Sequence, residues 1–329
     1  MSGDTGPGPF YLGIDLGGTN IKSGVVDDSG TPRSAISVPT HANEGGRAGI
    51  EHLAEAGRKA VEASGISWDQ IVGVGLGSPG TMDIPAGMLL EPPNLHGWEN
   101  LPIRDLLAEK LNKPVVLQND GNAAAYGEYW AGAGRGSHSL VMFTLGTGIG
   151  SGIVIEGLIH EGRHSHGAEC GHMIIEMSGG RMCSCGHPGH LEAYASATSL
   201  VKRALEALDQ TDEPSSLRLL PHEQVTSRAI NEAADAGDVL GARLMKETAY
   251  YLAVGAVSLM HTIDPDLILF GGGMINAGQS FLDEIRRNVR GMAFPIPAQK
   301  IRLAYAQLGE DAGFVGAGGW ARIVLNRRS

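Results

Sequence analysis

The chain repeats one uncommon pattern, a buried strand that passes through a glycine-rich turn directly into a second strand. The pattern occurs in YLGIDLGGTNIKSGVV, with its turn at residues 15–20, and again in SLVMFTLGTGIGSGIV, with its turn at residues 145–152. Glycines allow neighbouring backbone N–H groups to converge on one point, which suits an anion. Alternating strand and helix patterns follow each turn. The sequence therefore predicts two related α/β halves, with mainly parallel strands and helices on the sheet faces.

Each turn by itself is equally compatible with a plain hairpin and with a phosphate-binding loop. Two such turns, each opening one half of the chain, favour the phosphate-binding interpretation and predict one polyphosphate held from both sides. The aspartate at the end of the first strand is also suited to hydrated Mg²⁺, which prefers oxygen ligands. The candidate cofactor residues of the two turns are Asp15, Gly17, Gly18, Thr19, Thr147 and Gly148.

Other nucleotide-binding motifs are absent or incomplete. The chain contains neither a GxxxxGK[ST] loop nor the HRD and DFG motifs of protein kinases. GLGSPG at residues 75–80 matches GxGxxG, but the following TMDIPAGMLLEPPN is predicted to be an extended loop, whereas a dinucleotide site needs a helix there. Gly271, Gly272 and Gly273 follow a buried strand; close approach of a ribose or adenine explains three glycines better than a simple turn does.

Composition limits the classes of partner. A net charge of −11 argues against binding to a nucleic-acid backbone, so charged ligands are expected to arrive with a metal ion. No apolar run has the length of a membrane span and the N-terminus lacks a signal pattern, so we expect a cytoplasmic protein without a membrane partner. The three cysteines lie within sixteen residues, which indicates one local site rather than a disulfide framework.

The segment VVLQND predicts a strand that ends at Asn119 and Asp120, followed by a helix of small residues. Taken locally, Asp120 is an ordinary helix N-cap, a position that aspartate favours. A carboxylate at the end of a buried strand is also well placed to act as a general base, because the strand fixes it while the ligand side stays open.

Eight motifs occur in the order found in the ROK family of sugar kinases and sugar-responsive repressors, and the chain is identified as a member of that family from about residue 10 to 320. The chain most resembles the bacterial glucokinases of the family. The resemblance implies a two-lobed actin-like ATPase (ribonuclease H-like) α/β fold, with ATP and sugar bound in a cleft between the lobes. The motifs are DLGGTNIK, GSPG, PPNLHGW, QNDGNAAAYGE, LGTGIGSG, GAECGHM, CSCG followed by LE, and LFGGGM.

By resemblance, Asp120 is the base that takes the proton of the sugar 6-hydroxyl, and Asn119 binds the sugar ring. Phosphoryl transfer from ATP otherwise requires positioning and charge screening, with Mg²⁺ on the phosphates. The other sugar contacts that the resemblance implies are Asn94, Glu169, His172 and Glu192, together with Ser78 and Gly80 lining the pocket.

The resemblance also implies a structural zinc site. The family supplies one histidine and three cysteines; here His172, Cys183 and Cys185 match, and His190 replaces the last cysteine. Imidazole is a good zinc ligand, so a Cys₂His₂ site is chemically sound. Zinc with His187 as the fourth ligand and a loop without metal remain as alternatives. A Cys-x-Cys disulfide is disfavoured by strain and by the reducing cytosol.

The resulting hypothesis is an ATP-dependent hexose kinase, with glucose as the first candidate substrate. N-acetylmannosamine, N-acetylglucosamine, fructose or allose are alternative substrates, and polyphosphate is an alternative donor. A non-catalytic sugar sensor is disfavoured, because only 14 residues precede Asp15 and the repressors carry a DNA-binding segment there. We expect an N-terminal lobe at 10–130 completed by a helix at 311–326, a C-terminal lobe at 131–310, and a homodimer or higher homo-oligomer.

Overall fold

The computed structural model describes residues 8–93 and 95–327. Both predicted hairpins are formed by strands, and two further short strands follow GLGSPG. The strands are β1 (Phe10–Leu16), β2 (Asn20–Asp27), β3 (Ile36–Pro39), β4 (Ile71–Ser78), β5 (Thr81–Asp83), β6 (Met88–Glu91), β7 (Val115–Asn119), β8 (Ser139–Leu145), β9 (Ile149–Ile155), β10 (Leu158–Ile159), β11 (Leu267–Gly271) and β12 (Arg302–Tyr305).

The helices lie between the strands and dominate the region from residue 192 to 263. They are α1 (Gly46–Ser64), α2 (Ile103–Leu111), α3 (Asp120–Ala131), α4 (Glu192–Ala195), α5 (Ala197–Gln210), α6 (Ser227–Asp235), α7 (Val239–Ile263), α8 (Gly278–Met292), α9 (Pro295–Lys300) and α10 (Ala312–Asn326). Among the described residues, no helix is both long and apolar enough to cross a membrane.

The described residues form two compact units. The first unit lies within Met1–Ser137, Gly152–Ala168 and Gln307–Ser329, and the second within His138–Ser151 and Glu169–Ala306. The chain therefore passes from one unit to the other four times, and one of these passages falls inside β9.

The two sheets have the same strand arrangement, which agrees with two related halves. The first has the order β3-β2-β1-β4-β7 and the second β10-β9-β8-β11-β12. In the first, β1, β4 and β7 are parallel and β2 pairs antiparallel with β1. In the second, β8, β11 and β12 are parallel. The turns that follow β1 and β8 therefore occupy equivalent positions in the two sheets.

Helix α10 packs very closely on the first sheet, although it is the last element of the chain. A Cβ atom added at Gly13 in β1 would lie 1.8 Å from the backbone oxygen of Phe314, and one at Gly75 in β4 would lie 1.8 Å from that of Ala317. Glycine is required at both positions because backbone occupies the space of a side chain. The opposite face of the sheet covers an apolar core that includes Leu53 in α1, which is fully buried.

A buried carboxylate fixes two connecting segments of the first unit. Glu128 in α3 is 0 % exposed. Its Oε1 accepts hydrogen bonds from the backbone N–H groups of Gln307 at 2.8 Å and Leu308 at 2.6 Å, and its Oε2 accepts one from Ala133 at 2.8 Å. One side chain thus satisfies three backbone donors, in the segment after α3 and in the segment before α10.

The segment after GLGSPG differs from the prediction. It contains β5 and β6, which pair antiparallel, where the sequence suggested an extended loop. No helix starts there, so the GxGxxG match lacks the element that a dinucleotide site needs.

Candidate functional site

The first glycine turn presents free backbone donors. Gly17 donates its N–H to the oxygen of Asn20 at 3.0 Å. Thr40 donates its hydroxyl to the oxygen of Gly17 and its N–H to the oxygen of Thr19, so both of these turn carbonyls are hydrogen-bonded. Within the part of the chain that the structure describes, the N–H groups of Gly18 and Thr19 have no hydrogen-bond partner, and both residues are exposed. Two adjacent backbone N–H groups without partners are typical of an anion-binding site.

Asp15 and Asp120 lie on either side of Gly77, at the ends of β1 and β7. A Cβ atom at Gly77 would lie 3.6 Å from Oδ1 of Asp15 and 3.8 Å from Cα of Asp120. Burial, followed by the charge of Asp120, raises the pKa of Asp15 to about 7, and Lys22 counteracts the rise. Burial also raises the pKa of Asp120, although the N–H groups of Gly121 and of Asp120 itself act in the opposite direction. Two carboxylates with perturbed pKa values at adjacent strand ends are typical of a functional site.

Asn119, and not Asp120, caps helix α3. The Asn119 side chain accepts a hydrogen bond from the N–H of Asn122 at 3.1 Å, and Asp120 is the first helical residue. The interpretation of Asp120 as an N-cap is therefore wrong by one residue, and the Asp120 carboxylate is not used for capping. Its Oδ1 accepts the N–H of Gly121 at 2.8 Å.

Gln118 supports this strand end, a role that was not predicted from the sequence. It is 1 % exposed, and its Oε1 accepts the N–H of Asn119 at 2.8 Å while its Nε2 donates to Glu161 at 3.0 Å. The signal was a polar residue directly after the apolar run VVL of this strand. Because both ends of its amide are bonded, Gln118 fixes the backbone that carries Asn119.

The remaining sugar candidates of the first unit have structural roles of their own. Ser78 is fully buried and donates its hydroxyl to the oxygen of Pro79 at 3.2 Å. Gly80 has a φ of 93°, and a Cβ there would lie 2.4 Å from Cα of Pro92, so the turn requires glycine. Asn94 lies outside the described residues.

Four side chains of the second unit form a compact donor cluster, which we call the Cys/His cluster: His172, Cys183, Cys185 and His190. The ligand atoms of all four lie within 4.8 Å of one another. The two Nδ1 atoms are 3.3 Å apart, Sγ of Cys183 is 3.7 Å from Nδ1 of His172, and Sγ of Cys185 is 3.2 Å from Nδ1 of His190. All three cysteines of the chain are free, and Cys170 is not in the cluster.

Three of the six separations in the Cys/His cluster, 3.2, 3.3 and 3.7 Å, are close to the edge lengths of a tetrahedron around a zinc ion. Bond lengths of about 2.0–2.3 Å to nitrogen and sulfur place neighbouring ligand atoms roughly 3.3–3.8 Å apart. Burial, followed by the charge of His172, lowers the pKa of His190, which favours the neutral imidazole that a metal needs. Burial raises the pKa of Cys183 to about 11.

Glu192 joins the cysteine loop to the second glycine turn. Its Oε2 accepts the N–H of Ile149 at 2.9 Å, and its Oε1 accepts the hydroxyl of Ser184 at 2.6 Å and the thiol of Cys183 at 3.4 Å. Burial acts to raise the pKa of Glu192, but these hydrogen bonds hold it below its usual value. Ser184 was not identified in the sequence, because only the fold brings it to Glu192.

The second glycine turn resembles the first but closes differently. Gly146 donates its N–H to the oxygen of Gly148 at 3.0 Å, a span one residue shorter than in the first turn. A Cβ at Gly148 would lie 2.4 Å from Oε2 of Glu192, so a side chain there would displace this carboxylate. Thr147 is exposed.

The three glycines at the end of β11 lie in different local environments. Gly272 has a φ of 82°, and a Cβ there would lie 2.5 Å from the oxygen of Leu145. Gly273 is exposed with open space around it and borders a cavity of about 80 Å³ that also includes Met274 and Asn276. Gly271 is buried in the strand.

Glu169 begins the short turn that contains His172, a member of the Cys/His cluster. It is exposed, and its backbone oxygen accepts the N–H of His172 at 3.0 Å. The structure therefore places Glu169, His172 and Glu192 in the second unit, and Asn119 and Asp120 in the first.

Comparison with known proteins gives consistent results. The model of the ROK family matches residues 11–323. A glucokinase of Halalkalibacterium halodurans is 35 % identical over 94 % of this chain and 94 % of its own length. The solved ROK hexokinase of Thermus thermophilus has 34 % identity and a TM-score of 0.83, covering 97 % of this chain and 99 % of its own.

A ROK glucokinase of Streptomyces griseus, solved in complex with glucose and AMPPNP, is 34 % identical with a TM-score of 0.78, and 95 % of this chain and 99 % of that chain are covered. These structural likenesses confirm the expected α/β fold of actin-like ATPase type. Because the family model and these relatives span nearly the whole chain, the protein belongs to the ROK family.

Proposed function

We propose that the protein is an ATP-dependent hexose kinase that phosphorylates the 6-hydroxyl of glucose. The observation that carries the proposal is the half-buried Asp120 at the end of β7, whose carboxylate is left available by the capping role of Asn119. The family relationship supports it, since the H. halodurans relative is a glucokinase and the S. griseus relative was solved with glucose and AMPPNP.

In the proposed reaction Asp120 accepts the proton of the attacking hydroxyl. A carboxylate with a raised pKa is a better proton acceptor than an ordinary aspartate, as long as it is ionised at the working pH. Asn119 would hold the sugar ring through the part of its amide that capping does not use. Bound Mg²⁺ would neutralise phosphate charge, and Asp15 would hold it through water.

The sugar contacts of the second unit are proposed to be Glu169, His172 and Glu192. Nδ1 of His172 faces the Cys/His cluster, so Nε2 remains to bind a hydroxyl. Asn94, Ser78 and Gly80 stay predicted contributors to the sugar pocket. The N–H groups of Gly18 and Thr19, with Thr147 and Gly148, are proposed to bind phosphates, and the cavity beside Gly273 to take part of the nucleoside.

We further propose that the Cys/His cluster binds one structural zinc ion. The donor set and separations fit, and zinc would fix the ring of His172 by its Nδ1 so that Nε2 points at the sugar. His190, at the position where the resemblance implies a cysteine, would be the fourth ligand. The resemblance also predicts a homodimer, which oligomer analysis can test.

Metal analysis of the purified protein is expected to give one zinc per chain. Cys183→Ser and His190→Ala should lose the metal, because each removes one of four ligands. The Kd for glucose should then rise about tenfold, corresponding to about 1.4 kcal/mol of lost binding energy, before the protein unfolds. Cys170→Ala and His187→Ala are matched controls that should retain zinc. Absence of stoichiometric zinc from the unmodified protein would refute the proposal.

Substrate choice is tested by a coupled assay of ADP release with a panel of sugars. We expect glucose to give the highest kcat/KM among glucose, mannose, fructose, N-acetylmannosamine and N-acetylglucosamine. Preference for an N-acetylhexosamine would leave the kinase proposal standing and change the substrate. If no sugar stimulates ADP release while glucose still binds, the protein is a sensor and the kinase proposal fails.

A further inference from the structure

The second unit has an open groove that the proposed reaction does not use. It lies between helices α8 and α9 and strand β12, and its volume is about 450 Å³, within the range of small-molecule sites. Its lining is mixed, with apolar side chains beside two guanidinium groups and one amide. The lining residues are Arg286, Val289, Arg290, Pro295, Ala298, Gln299, Ile301 and Leu303.

The groove lies at the opposite end of the sheet from the glycine turns. In β11 and β12, which are parallel, Leu267 pairs with Arg302, so Ile301 and Leu303 lie near the start of the strands. Gly271–Gly273 follow the other end of β11. The parallel strand β8 likewise ends at the turn that contains Thr147. A ligand in the groove would therefore be separate from a nucleotide at the glycine turns of this same unit.

Basic side chains are concentrated near the groove, although two of them, Arg286 and Arg287, form ion pairs with Asp283 and Glu284. Residues 286–302 contain five arginines or lysines and no aspartate or glutamate, in a chain whose net charge is −11. The basic groups of this segment that lack such an acidic partner in the described part of the chain, Arg290 among them, attract anions to this face.

The two arginines of the groove differ in their hydrogen bonding. Arg286 donates to Oδ1 of Asp283 at 2.8 Å and to the oxygen of Leu303 at 2.5 Å, which fixes its side chain in the groove. Arg290, one helical turn later, is exposed and has no hydrogen bond or ion pair with any residue in 8–93 or 95–327. A guanidinium without a partner beside an apolar wall is suited to bidentate contact with a carboxylate or phosphate.

We propose that this groove binds a small organic anion, in which one carboxylate or phosphate monoester is joined to a compact apolar body. Arg290 would hold the charged group, with Arg286 beside it. Val289, Pro295, Ile301 and Leu303 would cover the body.

The test is calorimetric titration of the full chain in the presence of excess glucose, Mg²⁺ and AMPPNP. The probes are phenyl phosphate, benzoate, inorganic phosphate and benzyl alcohol. We expect phenyl phosphate or benzoate to bind at least about tenfold more tightly than inorganic phosphate and benzyl alcohol, which each lack one half of the recognised structure. The better of the two probes identifies the head group.

Variants separate the groove from diffuse attraction. Arg290→Gln should weaken the binding of the better probe about tenfold. Arg287→Gln is the matched control, because it removes the same charge from the neighbouring turn position, outside the groove, and should have no effect. Absence of binding by both anionic probes, equal binding of inorganic phosphate, or equal weakening by Arg287→Gln would overturn the proposal.

Discussion

Replacing Asp120 with asparagine is expected to reduce kcat about a thousandfold. Asparagine has the size of aspartate but cannot accept the hydroxyl proton, and general-base catalysis contributes on this order. The amide oxygen can still accept the N–H of Gly121, so the start of α3 should be retained. The measurement is steady-state ADP release with glucose and ATP at saturation.

Two controls make this result specific. Glucose binding to Asp120→Asn, measured by calorimetry, should stay within a few-fold of the unmodified protein, because Asn119 and the contacts of the second unit are unchanged. Asp69→Asn removes an exposed carboxylate from the same unit and should leave kcat unchanged. Retention of most of the activity by Asp120→Asn would mean that another group is the base.

The dependence of kcat/KM on pH should also reflect the role of Asp120 as the base. The base acts only when ionised, so activity is lost as the pH falls through its pKa. Because burial raises the pKa of Asp120, the acidic limb of kcat/KM should lie above the value of about 3.9 that is usual for aspartate. A limb at that ordinary value would contradict the environment that the structure gives to Asp120.

Replacing Glu128 with alanine is expected to produce the largest loss of stability. Three backbone N–H groups, of Ala133, Gln307 and Leu308, lose their acceptor in a place from which water is excluded. Each hydrogen bond to a carboxylate contributes about 1.5 kcal/mol or more, so the loss should be at least about 4.5 kcal/mol. Chemical denaturation followed by circular dichroism measures the shift of the midpoint.

A graded series tests this explanation. Glu128→Gln keeps one acceptor oxygen for Gln307 and Leu308 but presents an amide NH₂ to Ala133, so its loss should be about half as large. Glu109→Ala, an exposed position in α2, should have almost no effect. If Glu128→Gln and Glu128→Ala were equally mild, the buried hydrogen bonds would not be the cause of the stability.

The doubled strand–turn–strand pattern was sufficient to predict the two related sheets, because glycine turns between apolar runs leave few other interpretations. The hairpin of β5 and β6 was missed, since strands of three and four residues carry almost no periodicity. The start of α3 was misplaced by one residue, because Asn119 and Asp120 are both good caps and only their backbone geometry separates them.

At the site, sequence identified the residues whose chemistry is unusual, and it missed those whose role depends on neighbours distant in the chain. The Cys/His cluster combines side chains chosen from their spacing and from the resemblance. Gln118 and Ser184 act through Glu161 and Glu192, 43 and 8 residues away respectively. Sequence spacing cannot reveal such pairs, because they form only when separate loops are folded together.

The position of α10 has a consequence for the order of events during synthesis. Strands β1 and β4 leave the ribosome well before the helix that fits against Gly13 and Gly75, because the second unit lies between them in the chain. Until then, one face of the first sheet lacks its permanent cover while the whole intervening second unit is translated. The nascent chain therefore has a long interval in which this apolar face is open to aggregation or to a chaperone.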